Sequence, residues 1–469
     1  MNIIDIEKAK ADSWDVVIAG TSFAAFFFAL HLPKNLRVLF VEKGSIMAHQ
    51  DRIAAKWHDG LESIEQENSS KNGKRWIAHS TFGGNSNCWW ACTPRLHPDD
   101  FGLFSRYGVG SDWPLTYDDL EEIYCDVEEV MEISGGGSDH LLPRSRPFPA
   151  PPHAFSRSDK ALQAHSRDWF AQPSARSNGT RRPVCCANGV CDLCPIDSKF
   201  TILNSLDLFE RPRFFLLPRT EVRRVQRTGK LATALTVRTS DQREHTIKAD
   251  LFALGANALF NAAILLRSGF QNPNLGRYIH EQISQIVLLD VDIPNYFGGT
   301  SITGHGYPLY VGDHRREAGA VLIENWNSPP SIRTDRNRWT HRLKLKFIAE
   351  DLPRAENRVV LRNDEPVVEW FGHHEYAYRG LERAHRELKN ILPFKIDSMA
   401  PGAIANTEAH IQGTTRMGRN ADTGVVDSNL KTFEARNVLA LGSGCFPSCS
   451  PANPTLTLSA LSVRAAKAL

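Results

Sequence analysis

The stretch that most constrains the fold of this chain lies near the N-terminus. Residues 15–19 (Asp-Val-Val-Ile-Ala) are short and apolar, which is typical of a buried parallel strand. The turn at Gly20 leads into an apolar helix from about residue 24 to 32, and Pro33 ends that helix. Residues 36–41 then read as a second strand. This order of elements predicts a βαβ unit, the layout of dinucleotide-binding proteins.

The residue types at this turn suit a nucleotide. Gly20 permits the sharp bend, and the helix that follows presents unpaired N–H groups to a pyrophosphate. Glu42 stands ~20 residues on, where a carboxylate accepts from a ribose hydroxyl. Ser22 and Ala25 replace the second and third glycines of the usual fingerprint, so an α/β unit without a nucleotide is the alternative. The strand–turn–helix–strand context, together with Glu42, favours nucleotide binding.

Length and charge narrow the class of protein. A chain of 469 residues is too long for one core, so two domains are expected. The net charge of +2 implies no general affinity for nucleic acid or for an acidic membrane surface. No apolar run is long enough to span a bilayer, and the start lacks a basic region followed by an apolar core. We therefore expect a cytoplasmic enzyme without a membrane span.

Two stretches near the C-terminus indicate the chemistry. They are residues 410–418 (His-Ile-Gln-Gly-Thr-Thr-Arg-Met-Gly) and residues 451–457 (Pro-Ala-Asn-Pro-Thr-Leu-Thr). Oxidation of an alcohol by a flavin needs a base for the hydroxyl proton while hydride leaves the carbon. Histidine suits this task because its ordinary pKa of about 6.5 lies near working pH. A cofactor fold completed by a His and an Asn therefore suggests a flavin enzyme that oxidises an alcohol.

Several motifs in order along the chain resemble the glucose–methanol–choline (GMC) oxidoreductase superfamily. Besides the C-terminal stretches, the similar segments are residues 82–101, 113–124, 249–256 and 353–361. The layout looks closest to the pyranose oxidases and to the flavin subunits of bacterial sugar dehydrogenases. The resemblance implies an α/β fold with a Rossmann-like FAD-binding domain and an antiparallel-sheet substrate domain.

The same resemblance predicts three parts of the chain. Residues 1–280 would form the FAD-binding domain, with a cysteine loop at about 183–200, and residues 281–400 the substrate-binding domain. Residues 401–469 would complete the FAD domain and carry the catalytic residues. Alternating apolar segments at 283–287 and 343–348 support an antiparallel sheet that forms one wall of the substrate pocket.

Site residues follow from the resemblance, residue by residue. His410, with Gly413 and Thr414 of its motif, corresponds to the catalytic base of the family, and Asn453 to its partner. Because Asn453 cannot titrate, His410 would be the sole base, while Asn453 would orient the substrate oxygen. The residues implied to bind FAD are Gly20, Ser22, Glu42, Gly83, Gly84, Asn85, Asn87, Cys88, Val222, Gly255, Gly442, Ser443, Asn453, Pro454 and Thr455.

Cys88 occupies the position at which pyranose oxidases carry a histidine bonded to the flavin. A cysteine could form an analogous thioether to the 8α carbon. The alternative, favoured here, is that Cys88 is a small buried residue beside a flavin held without a covalent bond.

Four of the nine cysteines lie within ten residues: Cys185, Cys186, Cys191 and Cys194. Such a loop can hold an iron–sulfur cluster, and the Cys-x-x-Cys-Pro ending is similar to ferredoxin loops. Tetrahedral zinc and a loop of free thiols are the alternatives. Some related dehydrogenase subunits carry a three-iron cluster on such a loop with one more residue before the last cysteine, so the role of Cys194 is open. We expect FAD and a 3Fe–4S or 4Fe–4S cluster.

The function implied is an FAD-dependent dehydrogenase that oxidises a hydroxyl of a sugar, glycoside or polyol by hydride transfer to flavin N5. Electrons would leave through the iron–sulfur cluster to a protein acceptor. The alternatives are an oxidase of the same fold that uses O2, and a catalytically silent flavin subunit that relays electrons. The resemblance leaves open a small accessory subunit, a cytochrome acceptor, and periplasmic export with a partner that bears a signal.

Overall fold

The computed structural model describes residues 1–55, 60–68, 73–295, 298–328 and 339–469. Its α-helices are α1 Ile6–Ala11, α2 Phe23–Leu30, α3 His49–Ala55, α4 Pro98–Phe101, α5 Leu103–Tyr107, α6 Asp118–Met131, α7 Arg157–His165, α8 Asn257–Arg267, α9 Glu375–Ile391 and α10 Thr455–Lys467. The first strands are β1 Asn2–Ile3, β2 Trp14–Ala19, β3 Val38–Val41, β4 Leu61–Gln66, β5 Trp76–His79, β6 Ser134–Gly136, β7 Trp169–Ser174, β8 Phe214–Leu217, β9 Thr220–Thr228 and β10 Leu231–Thr239. The remaining strands are β11 Glu244–Leu254, β12 Ile283–Val291, β13 Ile302–Gly306, β14 Val321–Trp326, β15 Arg342–Ala349, β16 Arg358–Arg362, β17 Glu365–Glu369, β18 Ile396–Ala405 and β19 Val438–Ala440.

The first sheet contains the predicted βαβ unit. Its strand order is β1-β8-β3-β2-β11-β10-β9, with β19 paired to β11. The neighbours of β2 and β3 run parallel to them, whereas β9, β10 and β11 pair antiparallel. Strand β3 is apolar and fully buried, as expected where both faces of a parallel sheet are covered. C-terminal helix α10 packs on α2, so the two ends of the chain build one layer beside this sheet.

The second sheet is antiparallel, with the order β18-β12-β15-β14-β13-β7-β6. Along β15, Leu343, Leu345 and Phe347 alternate with polar residues and belong to a buried cluster with Leu381 and Leu388 of α9. One face of the sheet is therefore apolar and covered by a helix. The other face carries polar side chains, as the period of two in a strand requires.

Sheet membership crosses the predicted domain limits. Strands β6 and β7, from the predicted FAD-binding segment, join the antiparallel sheet, while β16 and β17 form a four-stranded sheet with β4 and β5. Strand β12 begins at Ile283, beside the predicted boundary. The three-part division stays a prediction. Within the described ranges, no helix is both long and apolar enough to cross a membrane.

Candidate active site

A cleft opens at the carboxyl ends of β2 and β3. Parallel sheets bind their ligands at this edge. Seven of the residues predicted to bind the cofactor line this cleft, and they come from widely separated parts of the chain. They are Gly20, Ser22, Glu42, Gly84, Asn85, Val222 and Gly255.

The turn after β2 requires glycine. Gly20 has a φ of +87°, and a Cβ at this position would lie 2.7 Å from the carbonyl oxygen of Gly255. The Gly255 N–H in turn donates to the Ala19 carbonyl at 2.8 Å. The turns after β2 and β11 are thus held in contact. Helix α2 begins here, and its N-cap residue Ser22 makes no capping bond with its side chain, which leaves the first N–H groups facing the cleft.

Glu42 is buried at the end of β3, and this burial raises its pKa. The Thr21 hydroxyl donates to one carboxylate oxygen at 2.6 Å, and the Gly44 N–H donates to the other at 2.9 Å. Thr21 also accepts from the Gly83 N–H at 2.9 Å. Thr21 therefore orients Glu42 and ties the first turn to the loop at 82–88. Sequence reasoning missed this residue, although its place beside Gly20 was a signal.

Hydrogen bonds within the 82–88 loop fix its shape. Asn87 donates to the carbonyls of Phe82 and Gly84 at 2.9 and 3.0 Å, so it shapes the loop rather than lining the cleft. Gly83 adopts a left-handed conformation with a φ of +86°. The Cys88 thiol is half-buried, contacts the Asn85 carbonyl at 3.3 Å and has a pKa raised to about 11 by burial. Cys88 is thus a neutral thiol at working pH.

The remaining predicted cofactor residues lie beyond the cleft, around the starts of α2 and α10. A Cβ on Gly442 would lie 3.7 Å from that of Ala24, in the first turn of α2. Ser443 donates to the Ile411 carbonyl at 2.6 Å, which joins this turn to the His410 motif. Pro454 is the N-cap of α10 and Thr455 its first residue. The turn at 442–443 therefore lies beside both the start of α2 and the His410 motif.

Gln282 connects the two predicted catalytic residues. Its side-chain amide donates to the carbonyls of Ser450 and Ala452 at 2.7 and 3.1 Å, and Ala452 immediately precedes Asn453. Because the NH2 group faces these carbonyls, Gln282 Oε1 is the acceptor 3.2 Å from His410 Nδ1. This bond places the proton of neutral His410 on Nδ1 and leaves the lone pair on Nε2. No sequence motif had marked Gln282.

The environment of His410 favours its neutral form. Desolvation by the surrounding protein lowers the pKa of His410, against a smaller opposing effect of Glu408 and Glu281. Asn453 is 8 % exposed, and its Oδ1 has no hydrogen-bond partner among the residues that the structure describes. Gln282 thus contacts the ring of His410 and the backbone of the residue that precedes Asn453. His410 Nε2 can accept the proton of a hydroxyl group, and Asn453 Oδ1 can accept a hydrogen bond.

The cysteine loop adjoins residues 82–90, which we name the flavin loop. Buried Lys199 donates to the carbonyls of Trp89, Cys191 and Asp192 at 2.9, 2.7 and 2.6 Å, and burial lowers its pKa to about 8. The guanidinium of Arg176 lies 3.6 Å from the Cys191 thiol.

The four thiols of this loop do not converge. Cys191 and Cys194 are buried, Cys185 is half-buried and Cys186 is exposed. Nowhere in the described ranges do three metal-ligating side chains form a group. As placed, these thiols are not a ligand set for a cluster or for zinc.

The cleft fits FAD on its own chemistry. It offers a glycine turn, an N-terminal helix end and a buried carboxylate at the end of the second strand, which are the groups that hold an adenine dinucleotide. The starts of α2 and α10 continue this surface toward His410 and Asn453. Fold and site together define a flavin-dependent alcohol oxidoreductase.

Comparison with known proteins supports this class of enzyme. Residues 353–462 match the family model described as GMC oxidoreductase. The chain is 27% identical to the fructose dehydrogenase large subunit of Gluconobacter japonicus, over 97% of this chain and 98% of that protein. It is 26% identical to the 6'''-hydroxyparomomycin C oxidase of Streptomyces lividus, over 99% and 93%. The solved structure of pyridoxine 4-oxidase from Mesorbium loti superposes with a TM-score of 0.67 and 18% identity, covering 97% and 99% of the two chains.

The chain thus matches the GMC oxidoreductases over its C-terminal part and is similar to the dehydrogenase and the oxidase named above over nearly its whole length. It is an FAD-dependent enzyme that acts on the CH–OH group of a sugar or alcohol, as the predicted resemblance implied.

Proposed function

We propose that this enzyme oxidises a secondary or anomeric hydroxyl of a sugar, glycoside or polyol, with His410 as the general base and Asn453 as the orienting group. The observation that carries the proposal is the bridge through Gln282, which contacts His410 Nδ1 at 3.2 Å and the carbonyl before Asn453 at 3.1 Å. Bound FAD would supply the oxidant that accepts hydride at N5.

The residues of the chain would divide the remaining work. His410 Nε2 takes the hydroxyl proton, because the bond to Gln282 keeps the other ring nitrogen protonated. Asn453 orients the substrate oxygen by donating to it from Nδ2, and its buried Oδ1, unsatisfied within the described structure, can accept from a second hydroxyl. FAD itself would be held by the seven residues that line the cleft and by the turn at Gly442, which lies beside the first turn of α2.

The test measures, from the change in flavin absorbance, how fast a panel of sugars and alcohols reduces bound FAD without air. We expect His410→Ala to lower the rate of reduction by at least two orders of magnitude, as for loss of a general base. The exposed His165→Ala serves as the matched control and should reduce at the rate of the unchanged enzyme. Equal FAD content in the two variants would exclude misfolding. Near-normal reduction in His410→Ala would contradict the assignment.

The electron acceptor is the second part of the proposal. We favour a protein acceptor over O2, with an iron–sulfur cluster in the loop of Cys185, Cys186, Cys191 and Cys194. Two observations support this: the buried cations Arg176 and Lys199 beside the loop would offset the negative charge of a cluster, and Lys199 ties the loop to the flavin loop. Binding would require the thiols to draw together. No step of the alcohol oxidation is assigned to a cluster.

Metal analysis on protein purified without air tests this part. We expect about three or four irons per chain with matching acid-labile sulfide, and turnover with an artificial dye but not with O2. Stoichiometric zinc without iron would contradict the cluster. Rapid turnover with O2 and no metal would favour the alternative oxidase, and no turnover with any alcohol would favour a silent relay subunit.

A further inference from the structure

Lys74, two residues before β5, is a buried cation that lies against two tryptophan rings. Its Nζ is 4.1 Å from the ring centre of Trp76 and 4.9 Å from that of Trp370. The carboxylate of Glu281 lies 2.9 Å from the same nitrogen, and both side chains of this ion pair are buried. Aromatic faces and a carboxylate both attract an ammonium group. Burial lowers the pKa of Lys74, and the attraction of Glu281 opposes that shift.

Lys74 also holds the backbone of the segment that leads to His410. Its Nζ donates to the Asn406 carbonyl at 3.2 Å. His373 Nε2 lies 2.9 Å from the same oxygen, while His373 Nδ1 lies 2.8 Å from buried Asp351. Because a carbonyl oxygen can only accept, both side chains donate to it. The backbone is therefore fixed from two sides, four residues before His410.

Glu281 holds the same segment one residue further on. The Thr407 hydroxyl donates to Glu281, and the Ala409 N–H donates to the Thr407 oxygen at 3.0 Å. Ala409 has a φ of +57°, a left-handed conformation that a residue other than glycine keeps only where its surroundings hold it. The bonds from Glu281 through Thr407 therefore stabilise the turn that immediately precedes His410.

The neighbours of Glu281 in the chain contact the same region. Gln282, the next residue, lies 3.2 Å from His410 Nδ1 through its Oε1. His280, the residue before, exchanges two backbone hydrogen bonds with Gln412, each of 3.0 Å. Three consecutive residues thus hold the segment on either side of the histidine, and Lys74 is the ion-pair partner of the central one.

Charge provides a second connection between Lys74 and His410. Burial lowers the pKa of His410 most, and the charged side chains that act on it are Glu408, Glu281, Lys346 and Glu324. The three carboxylates raise this pKa and Lys346 lowers it. Glu408 is paired with Lys346, as Glu281 is with Lys74. Loss of the Lys74 ammonium would therefore leave an unpaired carboxylate near the imidazole.

We propose that Lys74 is a positioning residue for the alcohol oxidation, which acts on His410 through Glu281 and through the backbone of residues 406–409. This inference rests on the role proposed above for His410. Lys74 does not line the cofactor cleft. Its loss should slow the transfer of the hydroxyl proton and raise the pKa of His410, while substrate affinity stays nearly the same.

The experiment compares variants of the FAD-loaded enzyme. Lys74→Met removes the ammonium, Lys74→Arg keeps a positive charge, and the double variant Lys74→Met/Glu281→Gln removes both charges of the pair. Glu281→Gln alone is a fourth variant that nearly conserves the shape of the side chain, so it also serves if Lys74→Met fails to retain FAD.

Arg37→Met is the matched control. Arg37 also lies against a tryptophan, 4.8 Å from the ring centre of Trp14, and pairs with Asp12 at 2.7 Å. It stands at the amino end of β3, whereas the cofactor cleft opens at the carboxyl end. This variant therefore loses the same kind of contact far from the site.

Two quantities are measured for every variant. The rate of flavin reduction without air is recorded against pH and against the concentration of D-glucose, D-fructose, D-sorbitol and 2-propanol. The ring pKa of His410 is measured by NMR on enzyme labelled with 15N-histidine, with His410→Ala to assign the signal. The NMR measurement does not depend on turnover.

We expect Lys74→Met to lower the limiting rate of flavin reduction by about tenfold, part of a general base's contribution, and to change substrate Kd by less than about threefold. The acid limb of the pH profile and the NMR pKa of His410 should both rise by about one pH unit, as for an unpaired carboxylate nearby. Glu281→Gln should move both downward. Lys74→Arg and the double variant should restore most of the rate, and Arg37→Met should match the unchanged enzyme.

The possible failures are distinguishable. A pKa of His410 that moves in neither Lys74→Met nor Glu281→Gln, or a loss of rate that neither Lys74→Arg nor the double variant restores, would overturn the role of Lys74. A pKa that moves as expected, with flavin reduction unaffected in both Lys74→Met and His410→Ala, would reject His410 as the base and leave its coupling to Lys74 standing.

Discussion

At the scale of single residues, Gln282 links the backbone beside Asn453 to the ring of His410. Its NH2 group is committed to the carbonyls of Ser450 and Ala452, so its oxygen is oriented toward His410 Nδ1. A histidine held in this way has its basic nitrogen on the opposite side of the ring. In the proposed mechanism Gln282 is a positioning residue, which acts through His410 rather than on the substrate.

Variants of Gln282 separate this role from simple packing. With His410 as the proposed neutral base, kcat/KM should fall as pH drops through its pKa, and desolvation moves this acid limb below the ordinary value of about 6.5. Gln282→Glu should move the limb to higher pH, since a carboxylate beside Nδ1 raises the pKa of His410. Gln282→Leu should lower kcat by at least about tenfold, part of a general base's contribution. A pH–rate profile checks both, and two unchanged profiles would contradict the role.

At the scale of elements, one buried polar network braces the loop that carries Asn453. Arg315, fully buried, bonds Glu350 at the end of β15 at 2.6 and 3.1 Å and Asp100 of α4 at 2.9 Å. Asp100 Oδ2 also accepts from the hydroxyls of Tyr310 and Ser450, at 2.7 and 3.0 Å. The loop that carries Asn453 is thereby anchored both to the antiparallel sheet and to α4.

Removing the Arg315 guanidinium should therefore destabilise the folded protein. Arg315→Met leaves Asp100 and Glu350 buried without their partner, and we expect it to lower the free energy of unfolding by about 3–5 kcal/mol. Arg316→Met, on the neighbouring exposed residue, is the control and should cost at most about 1 kcal/mol. Denaturant unfolding of both holoproteins measures the difference. Similar losses for the two variants would show that the network contributes little.

At the scale of the whole molecule, the cofactor cleft joins distant parts of the chain. Its lining runs from Ala19 to Arg267 and includes the turns after β2, β3 and β11. A ligand that binds only when these turns are assembled stabilises the folded state, by about 2.7 kcal/mol at a hundredfold excess over Kd. FAD should therefore contribute strongly to global stability.

Thermal unfolding with and without FAD tests this contribution. We expect removal of FAD to lower Tm and added FAD to restore it. Gly20→Ala should abolish most of this response, because its Cβ would lie 2.7 Å from the Gly255 carbonyl at a φ of +87°. Gly102→Ala, where a Cβ meets nothing within 4 Å, should respond like the unchanged protein. An undiminished FAD response in Gly20→Ala would show that this turn is not part of the site.

The sequence by itself determined the βαβ unit, the resemblance to the GMC oxidoreductases and the use of FAD. Those conclusions depended on residues close together in the chain: an apolar strand, a glycine turn, a helix, and motifs around His410 and Asn453. Local order is enough there because turn geometry and strand burial are properties of short segments. Strand limits differed from the prediction by only a few residues, as at β2 and β3.

Only the tertiary structure decided which side chains meet. Thr21 reaches Glu42 across two turns, and Gln282 reaches His410 across 128 residues. Glu324 lies between His305 and Lys346 because of the register of β13, β14 and β15. Register is set by pairing between strands far apart in sequence, and a shift of one residue would turn each side chain to the other face. No pattern within one segment contains that information, so the neighbours of His410 and of Glu324 became visible only once the strands were paired.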